Sequence, residues 1–404
     1  MMRQIPSSSD PAPSGNCPEG ESNRTLLIEG WHFIPHSYAV VNQFQSLQLL
    51  QQPGLRLAHR DIPYFDPSWQ PVDGLFPPAD EAAIRNIPLA TPDEQPDALL
   101  RIAYPYNYGP SPAKRTYVFG TAEYGCVPPH VYIGAQSLQQ VMSETNITLI
   151  TPSNWSRQGF IRSGADPGRV VVIPHGVDPE LFHPLEHKQR ELLRSQFGWD
   201  GFTFLSLGAM TGNKGIALLL KAFINVAQRH PQTRLVLKGL NGLYDSKGRL
   251  KQLVGALTTD EMRILEPRLI WLENTLGFAD MAQLYQAADA YVSPYLAEGF
   301  NMPVLEAAAC GTLVICTRGG ATDDFTTPEF TLQIDSRAQR LKQESGLFYH
   351  FRQPSFEHLL HQMYTAIDSP DICARARQAG PAFVTERFTW QQVTARLLAT
   401  LFPA

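Results

Sequence analysis

Cysteine is scarce and scattered. The five (Cys17, Cys126, Cys310, Cys316 and Cys373) are odd in number and form no C-x-x-C pair. That pattern speaks against zinc and against a disulfide framework, and it fits a reducing compartment. Positive charge is not in excess either. With 33 Lys and Arg against 38 Asp and Glu, the net charge is −5, so no basic field marks a nucleic-acid binder. No apolar run reaches the roughly 18 residues needed to cross a bilayer, and the first residues lack a basic-then-apolar export signal. A cytoplasmic protein is expected, with peripheral contact at the cytoplasmic face of a membrane left open. No G-x-G-x-x-G follows the first predicted strand, which leaves a dinucleotide oxidoreductase poorly supported. No Asp-x-Asp pair stands at a strand end, since Asp323 and Asp324 are adjacent and follow Gly319-Gly320. No metal requirement is expected.

What is present is a soluble globular composition, 43% hydrophobic and 18% charged, over 404 residues. That length is too great for one ordinary core, and two domains are the natural reading. Residues 1–23 are rich in Ser, Pro and Gly and read as a disordered leader. From residue 24 strands and helices alternate, which argues for parallel α/β architecture. Strands are predicted at 25–30, 55–59, 99–103, 116–119, 147–150 and 170–173, with a helix over 38–51 capped by Ser37 and another over 154–163 capped by Ser153. Residues 60–97 are punctuated by proline and carry Tyr64, Phe65, Trp69 and Phe76. Such a segment reads as an ordered cover near a cleft, with room for a helix at 79–86. A turn-rich break, Pro174-His175-Gly176-Val177-Asp178, precedes the domain boundary. The first domain is placed at 24–183 with the last helix, 385–404, and the second at 198–384. In the second, strands are expected at 202–208, 234–238, 268–272, 290–293 and 312–316, and helices over 215–229, 281–288, 356–367 and 371–383.

The most informative stretch is Glu298-Gly299-Phe300-Asn301-Met302-Pro303-Val304-Leu305-Glu306-Ala307-Ala308-Ala309-Cys310-Gly311. A buried strand precedes it. Pro303 suits a first helical position, and Gly311 suits the end of the helix. Two carboxylates therefore bracket a helix start whose free N–H groups attract anions. A diphosphate on those amides, with hydroxyls on both Glu, describes a site for a sugar nucleotide. A second loop, Gly208-Ala209-Met210-Thr211-Gly212-Asn213-Lys214-Gly215, also joins a strand to a helix. It is not a Walker A sequence, because Lys214 follows Asn213 and Gly215 replaces the Ser or Thr that would hold magnesium.

These two stretches resemble the E-x7-E motif and the phosphate-facing lysine loop of retaining glycosyltransferases of the family 4, or group 1, type. The resemblance is specific from about residue 150 to 402 and rests on strand order alone before that. It implies the GT-B fold, α/β, with two Rossmann-like parallel-sheet domains facing across a cleft. It implies that Glu298 holds donor-sugar hydroxyls and Glu306 the ribose. The amides of Gly299, Phe300, Asn301 and Met302 would face sugar and diphosphate, and Lys214 the departing diphosphate, beside Gly208. Asn301 stands where the family usually has Gly, and Asn tolerates left-handed backbone. Ala209 stands where an Arg is common. Either Lys214 and backbone amides suffice, or Lys238 or another cation compensates, or activity is weak. The base would lie at Trp271 and Leu272. On the acceptor side the resemblance points to His36 and Ser37, and to Glu123 as a catalytic group near the donor sugar.

The expected activity is transfer of a sugar, with retention and without a metal, from a nucleotide-diphosphate sugar to a hydroxyl of a glycan, lipid or small molecule. No cofactor beyond the donor and no nucleic-acid partner is expected. A GT-B nucleotide-sugar epimerase, needing Glu123 with a His, and a non-catalytic sugar-nucleotide binder, motivated by Ala209, are the rivals.

Overall fold

Two parallel sheets arise from the alternation of short apolar strands with amphipathic helices. The computed structural model describes residues 24–403 apart from Pro92, Ala135 and Ser345, so the predicted leader lies outside the described residues. The first half contains β1 (Arg24–Gly30), α1 (Ser37–Leu49), β2 (Leu55–Asp61), α2 (Pro78–Arg85), β3 (Ala98–Ile102), β4 (Tyr106–Asn107), β5 (Arg115–Phe119), β6 (Tyr132–Ile133), α3 (Leu138–Glu144), β7 (Thr148–Thr151), α4 (Asn154–Arg162) and β8 (Val170–Val172). Helix α5 (His187–Phe197) leads into the second half. There follow β9 (Thr203–Leu207), α6 (Ile216–Arg229), β10 (Arg234–Lys238), α7 (Ser246–Gly255), α8 (Thr259–Leu265), β11 (Leu269–Leu272), α9 (Phe278–Ala287), β12 (Ala290–Ser293), α10 (Met302–Ala309), β13 (Leu313–Thr317) and β14 (Thr331–Ile334). The chain ends with β15 (Ser336–Lys342), β16 (Phe348–Pro354), α11 (Phe356–Asp368), α12 (Pro370–Arg387) and α13 (Trp390–Leu401).

The first sheet has the order β2-β1-β3-β5-β7-β8 and the second β11-β10-β9-β12-β13-β14. In each, the chain runs outward from its first strand and then crosses back to the other side of it. The crevice at that reversal is where open α/β sheets bind ligands. In the second sheet it lies between β9 and β12. Strands β9, β12 and β13 are buried along their whole length, as parallel strands covered on both faces must be. Helix α6 turns Leu219, Leu220, Phe223 and Val226 into that core. The last helix leaves the second domain: Trp390, Val393, Leu397 and Leu401 join the first core, and the hydroxyl of Tyr117 donates to Thr400 O at 2.8 Å. No helix among the described residues is long and apolar enough to cross a membrane.

Several expectations need correction. His36, not Ser37, caps α1, its Nδ1 accepting from the N–H of Tyr38 at 3.2 Å. Helix α10 starts at Met302, so Pro303 is its second residue. The lysine of the second loop sits in a short 3-10 turn, Gly212–Lys214, and α6 begins after it. The antiparallel hairpin β15–β16 was not anticipated, nor were α7 and α8. The proline-rich segment is ordered: Trp69 donates from Nε1 to Leu243 O in the second domain at 3.1 Å, and Phe278 N–H donates to Leu75 O at 2.9 Å.

Candidate active site

The site is assembled at the β9/β12 reversal. Beyond Ser293 the chain bends through residues 294–301 into α10. Asn301 takes the left-handed conformation, φ 78°, as the residue that normally holds Gly there would. Its Nδ2 donates to Ser293 Oγ at 2.9 Å, which holds the turn back against the strand. The N–H groups of Gly299, Phe300, Asn301 and Met302 have no acceptor among the described residues. Phe300 turns its own ring inward, stacked on Phe325 at 4.5 Å and edge-on to His175 at 4.7 Å. What this loop offers a ligand is therefore backbone.

The lysine loop is stitched to the same segment. Leu296 N–H donates to Asn213 O at 2.7 Å, and Asn213 Nδ2 donates to Ala297 O at 3.0 Å. Gly215, at φ 71°, lies so close that an added Cβ would stand 2.0 Å from Pro294 O, so only glycine fits. These bonds bring the two charged groups together: Lys214 Nζ lies 2.6 Å from Glu298 Oε1. Burial pulls the Lys214 pKa down, but the charges of Glu298 and Glu123 outweigh it and the net shift is upward. Lys214 stays a cation. Gly208, at φ 141°, adopts a backbone conformation that side-chain-bearing residues rarely take, and an added Cβ there would meet the Lys214 stem at 3.9 Å.

Glu306 lies one turn into α10 and accepts from the hydroxyl of Tyr285 at 2.6 Å. Burial raises its carboxyl from 4.5 to about 7, against the opposing bond from Tyr285. Trp271 and Leu272 end β11, where Leu272 O accepts from Gly239 N–H at 2.9 Å. The Trp271 indole lies over Gly239, leaving no room for a Cβ there. Lys238 is buried and donates from Nζ to Gly239 O at 2.5 Å. Burial lowers its pKa to about 8.

The first domain supplies the facing wall. Gly299 O accepts from Ser153 Oγ at 2.6 Å and Ser156 Oγ at 3.2 Å at the start of α4. Asp324 of the second domain accepts from Asn154 N–H at 2.6 Å. Thr121, after β5, packs against Gly299. Two residues on lies Glu123, whose pKa is raised by burial, with Lys214 opposing and Glu298 reinforcing. His36 sits beside Trp31 at 5.1 Å, Trp69 at 5.5 Å and Tyr244 of the second domain at 6.5 Å, and burial lowers its pKa to about 4. Ser37 is exposed and makes no side-chain hydrogen bond among the described residues. His175 is an uncharged ring buried at the domain junction, its pKa held near 3 by burial.

The structure thus brings together Lys214, Glu298 and Glu123, and it sets the bare amides of residues 299–302 on the same turn. Residues 201–338 match the model of the family described as "Glycosyl transferases group 1". Over that stretch the chain is similar to the group 1 glycosyltransferases. Curated relatives include a mannosylfructose-phosphate synthase of Agrobacterium fabrum, 30% identical over 37% of this chain and 33% of that protein. A D-inositol 3-phosphate glycosyltransferase of Pseudarthrobacter chlorophenolicus is 35% identical over 39% of this chain and 36% of that protein. The match to an MMP alpha-(1->4)-mannosyltransferase of Mycolicibacterium hassiacum is longer, 24% identical over 66% and 57%. The chain therefore spans 33% to 57% of the length of these relatives. Among solved structures, Anabaena HepE in complex with UDP and glucose superimposes with a TM-score of 0.65 at 16% identity, covering 94% of this chain and 99% of that one. Sucrose-phosphate synthase from Thermosynechococcus elongatus gives 0.65 at 16%, covering 93% and 97%. These likenesses establish the GT-B fold.

The cleft also contains rings that sequence reasoning missed. Tyr244 has its phenol pushed up to about 12 by burial, with Glu123 adding and Lys214 opposing, so it shares the site of both. Tyr104 is raised by burial with a contribution from Glu123. Tyr244 follows β10 at its carboxyl end, a position where ligands gather, and that signal was there to be used.

Proposed function

We propose that the chain is a retaining glycosyltransferase that takes a nucleotide-diphosphate sugar and transfers the sugar to an acceptor hydroxyl. The observation that carries this reading is the pairing of Lys214 with Glu298 beside four unpartnered amides at the sheet's reversal point. A diphosphate entering there meets a cation and N–H groups already oriented, the arrangement that stabilises charge developing on a leaving group. Lys214 exchanges part of its bond to Glu298 for phosphate oxygens, which frees Glu298 to accept from sugar hydroxyls. Glu306 accepts from the ribose, and the base lies at the end of β11. The diphosphate is neutralised by Lys214 and amides without a metal.

The likeness of residues 201–338 to group 1 glycosyltransferases supports retention, by a front-face route in which the leaving phosphate helps deprotonate the acceptor. Glu123, its carboxyl pKa raised by burial, faces the donor sugar. The acceptor enters between His36 and Glu123, along a wall rich in tyrosine. An epimerase is not favoured, since among the described residues no histidine is hydrogen-bonded to Glu123. A non-catalytic binder is motivated by Ala209 alone.

Thermal-shift screening against a panel of nucleotide sugars tests the donor, because a ligand bound only by the folded state raises the melting temperature. Transfer or hydrolysis of the stabilising donor is then measured. Stabilisation without turnover across many acceptors would favour the non-catalytic binder, and no stabilisation by any nucleotide sugar would sink the site itself.

A further inference from the structure

The first domain holds a second cluster of ligand-type side chains that sugar transfer does not use. Parallel pairing sets Ile28 beside His59 and Gly30 beside Asp61, and His32 follows two residues after β1. One donor atom from each of His32, His59 and Asp61 lies within 4.8 Å of the others. Asp61 Oδ1 is 3.6 Å from His32 Nδ1 and 3.2 Å from His59 Nδ1. Ligands bound tetrahedrally at about 2.0–2.1 Å are about 3.3–3.4 Å apart, so both edges are close to those around a bound ion.

The two imidazoles are stacked at 3.6 Å and are buried, 7% and 2% exposed. His32 Nε2 has no hydrogen-bond partner, and buried polar atoms rarely go without one; the group facing His59 Nδ1 is Asp61 itself. Asp61 is open, and the cluster faces a cavity of about 280 Å³ lined also by Phe33, Arg85 and Leu89. Arg85 is already engaged by Asp73 and Glu81, so it does not neutralise Asp61. None of Lys214, Glu298, Glu306 or Glu123 lines this cavity.

We propose that His32, His59 and Asp61 bind one divalent transition-metal ion of the zinc class, with a coordination position open to the cavity. Two imidazoles and one carboxylate are a ligand set such ions accept. Asn42 tempers the affinity. Its Nδ2 lies 3.0 Å from both Trp31 O and His59 Nε2, so without metal Nε2 accepts and Nδ1 carries the proton. Loading releases that Nδ1 proton to solvent and leaves Nε2 as the donor. The Asn42 amide must then turn to accept, giving up its bond to Trp31 O. The stacked rings must also swing to bring both nitrogens in plane with the ion. These rearrangements weaken binding and keep it reversible. Its role is structural: the ion ties the loop that carries Trp31 and His36 to the sheet edge.

The test uses the tag-free full chain, stripped with a chelator and titrated with Zn²⁺ by calorimetry, with Co²⁺ absorption as a second readout. We expect one ion per chain, a higher melting temperature on loading, and affinity at least tenfold weaker in His59→Gln and in Asp61→Asn. Asp61 is exposed, so Asp61→Asn keeps the fold even if His59→Gln does not. Absence of saturable binding by the unaltered chain, or undiminished binding by Asp61→Asn, would overturn the proposal. None of this depends on the donor reading, and nucleotide-sugar stabilisation is measured separately.

Discussion

Both sheets place a loop after their first strand at the point where strand order reverses, yet the two loops are built from different materials. After β9 the chain offers Gly208, Gly212 and Gly215, one cation and little else. After β1 it offers Trp31, His32, Phe33, His36 and Tyr38, which pack on one another and on Trp69. A bare loop exposes backbone and suits a ligand group common to many substrates, such as a diphosphate. A loop filled with rings hides its backbone and presents shape, which suits discrimination between acceptors. On the proposed reading one topology serves two kinds of recognition, and the side chains decide which.

Substitutions on either side can break that division. Lys214→Ala is expected to have the largest effect, lowering turnover by about 10²–10³-fold, as loss of one charge-stabilising donor does, while the fold survives; steady-state transfer kinetics with circular dichroism check it. Glu306 comes next and reads out in stability. Its carboxyl titrates at 4.5 when free and at about 7 when folded. Between those values the folded state binds more protons, so stability falls as pH rises, by about 3 kcal/mol in all. Denaturant melts across pH 4–8 should show this slope in the parent and not in Glu306→Gln.

The same variant should bind donor about tenfold more weakly, having exchanged a carboxylate acceptor for an amide. Because hydroxyl donors favour the ionised carboxyl, parent affinity should improve as pH climbs through 7, and Glu306→Gln should lose that rise. His36→Asn sharpens the contrast from the other side. Asn retains the helix cap but removes the ring, so acceptor KM should shift several-fold with donor affinity unchanged. Smallest is Ser156→Ala, which removes one of two donors to Gly299 O and should cost about 1 kcal/mol, seen as a modest loss of donor affinity by calorimetry. Equal donor effects from His36→Asn and Lys214→Ala would erase the proposed division.

The second domain was the more legible because its signals are local. Glu298 and Glu306 are eight residues apart on one turn, and Asn301 announces its own backbone conformation. Lys214 was found from the glycines around it, although its turn preceding α6 was not. The first domain is assembled from contacts that no window contains. Trp69 meets Leu243 across 174 residues, and Tyr244 lies beside His36 and Trp69 of the first domain. The hairpin β15–β16 escaped notice because its residues are mostly polar or exposed on both faces, so no apolar alternation marks it. Ser37 looked like the better cap on propensity, but the imidazole one residue earlier reached the amide first.

The double acceptor at Gly299 O bears on protein engineering. Acceptor range in such two-part enzymes invites grafting one partner's front half onto another's rear half. A recipient lacking hydroxyls at the positions of Ser153 and Ser156 would leave that carbonyl buried and unmet at the seam. The graft would fold as two sound pieces and still misplace the segment that carries Glu298.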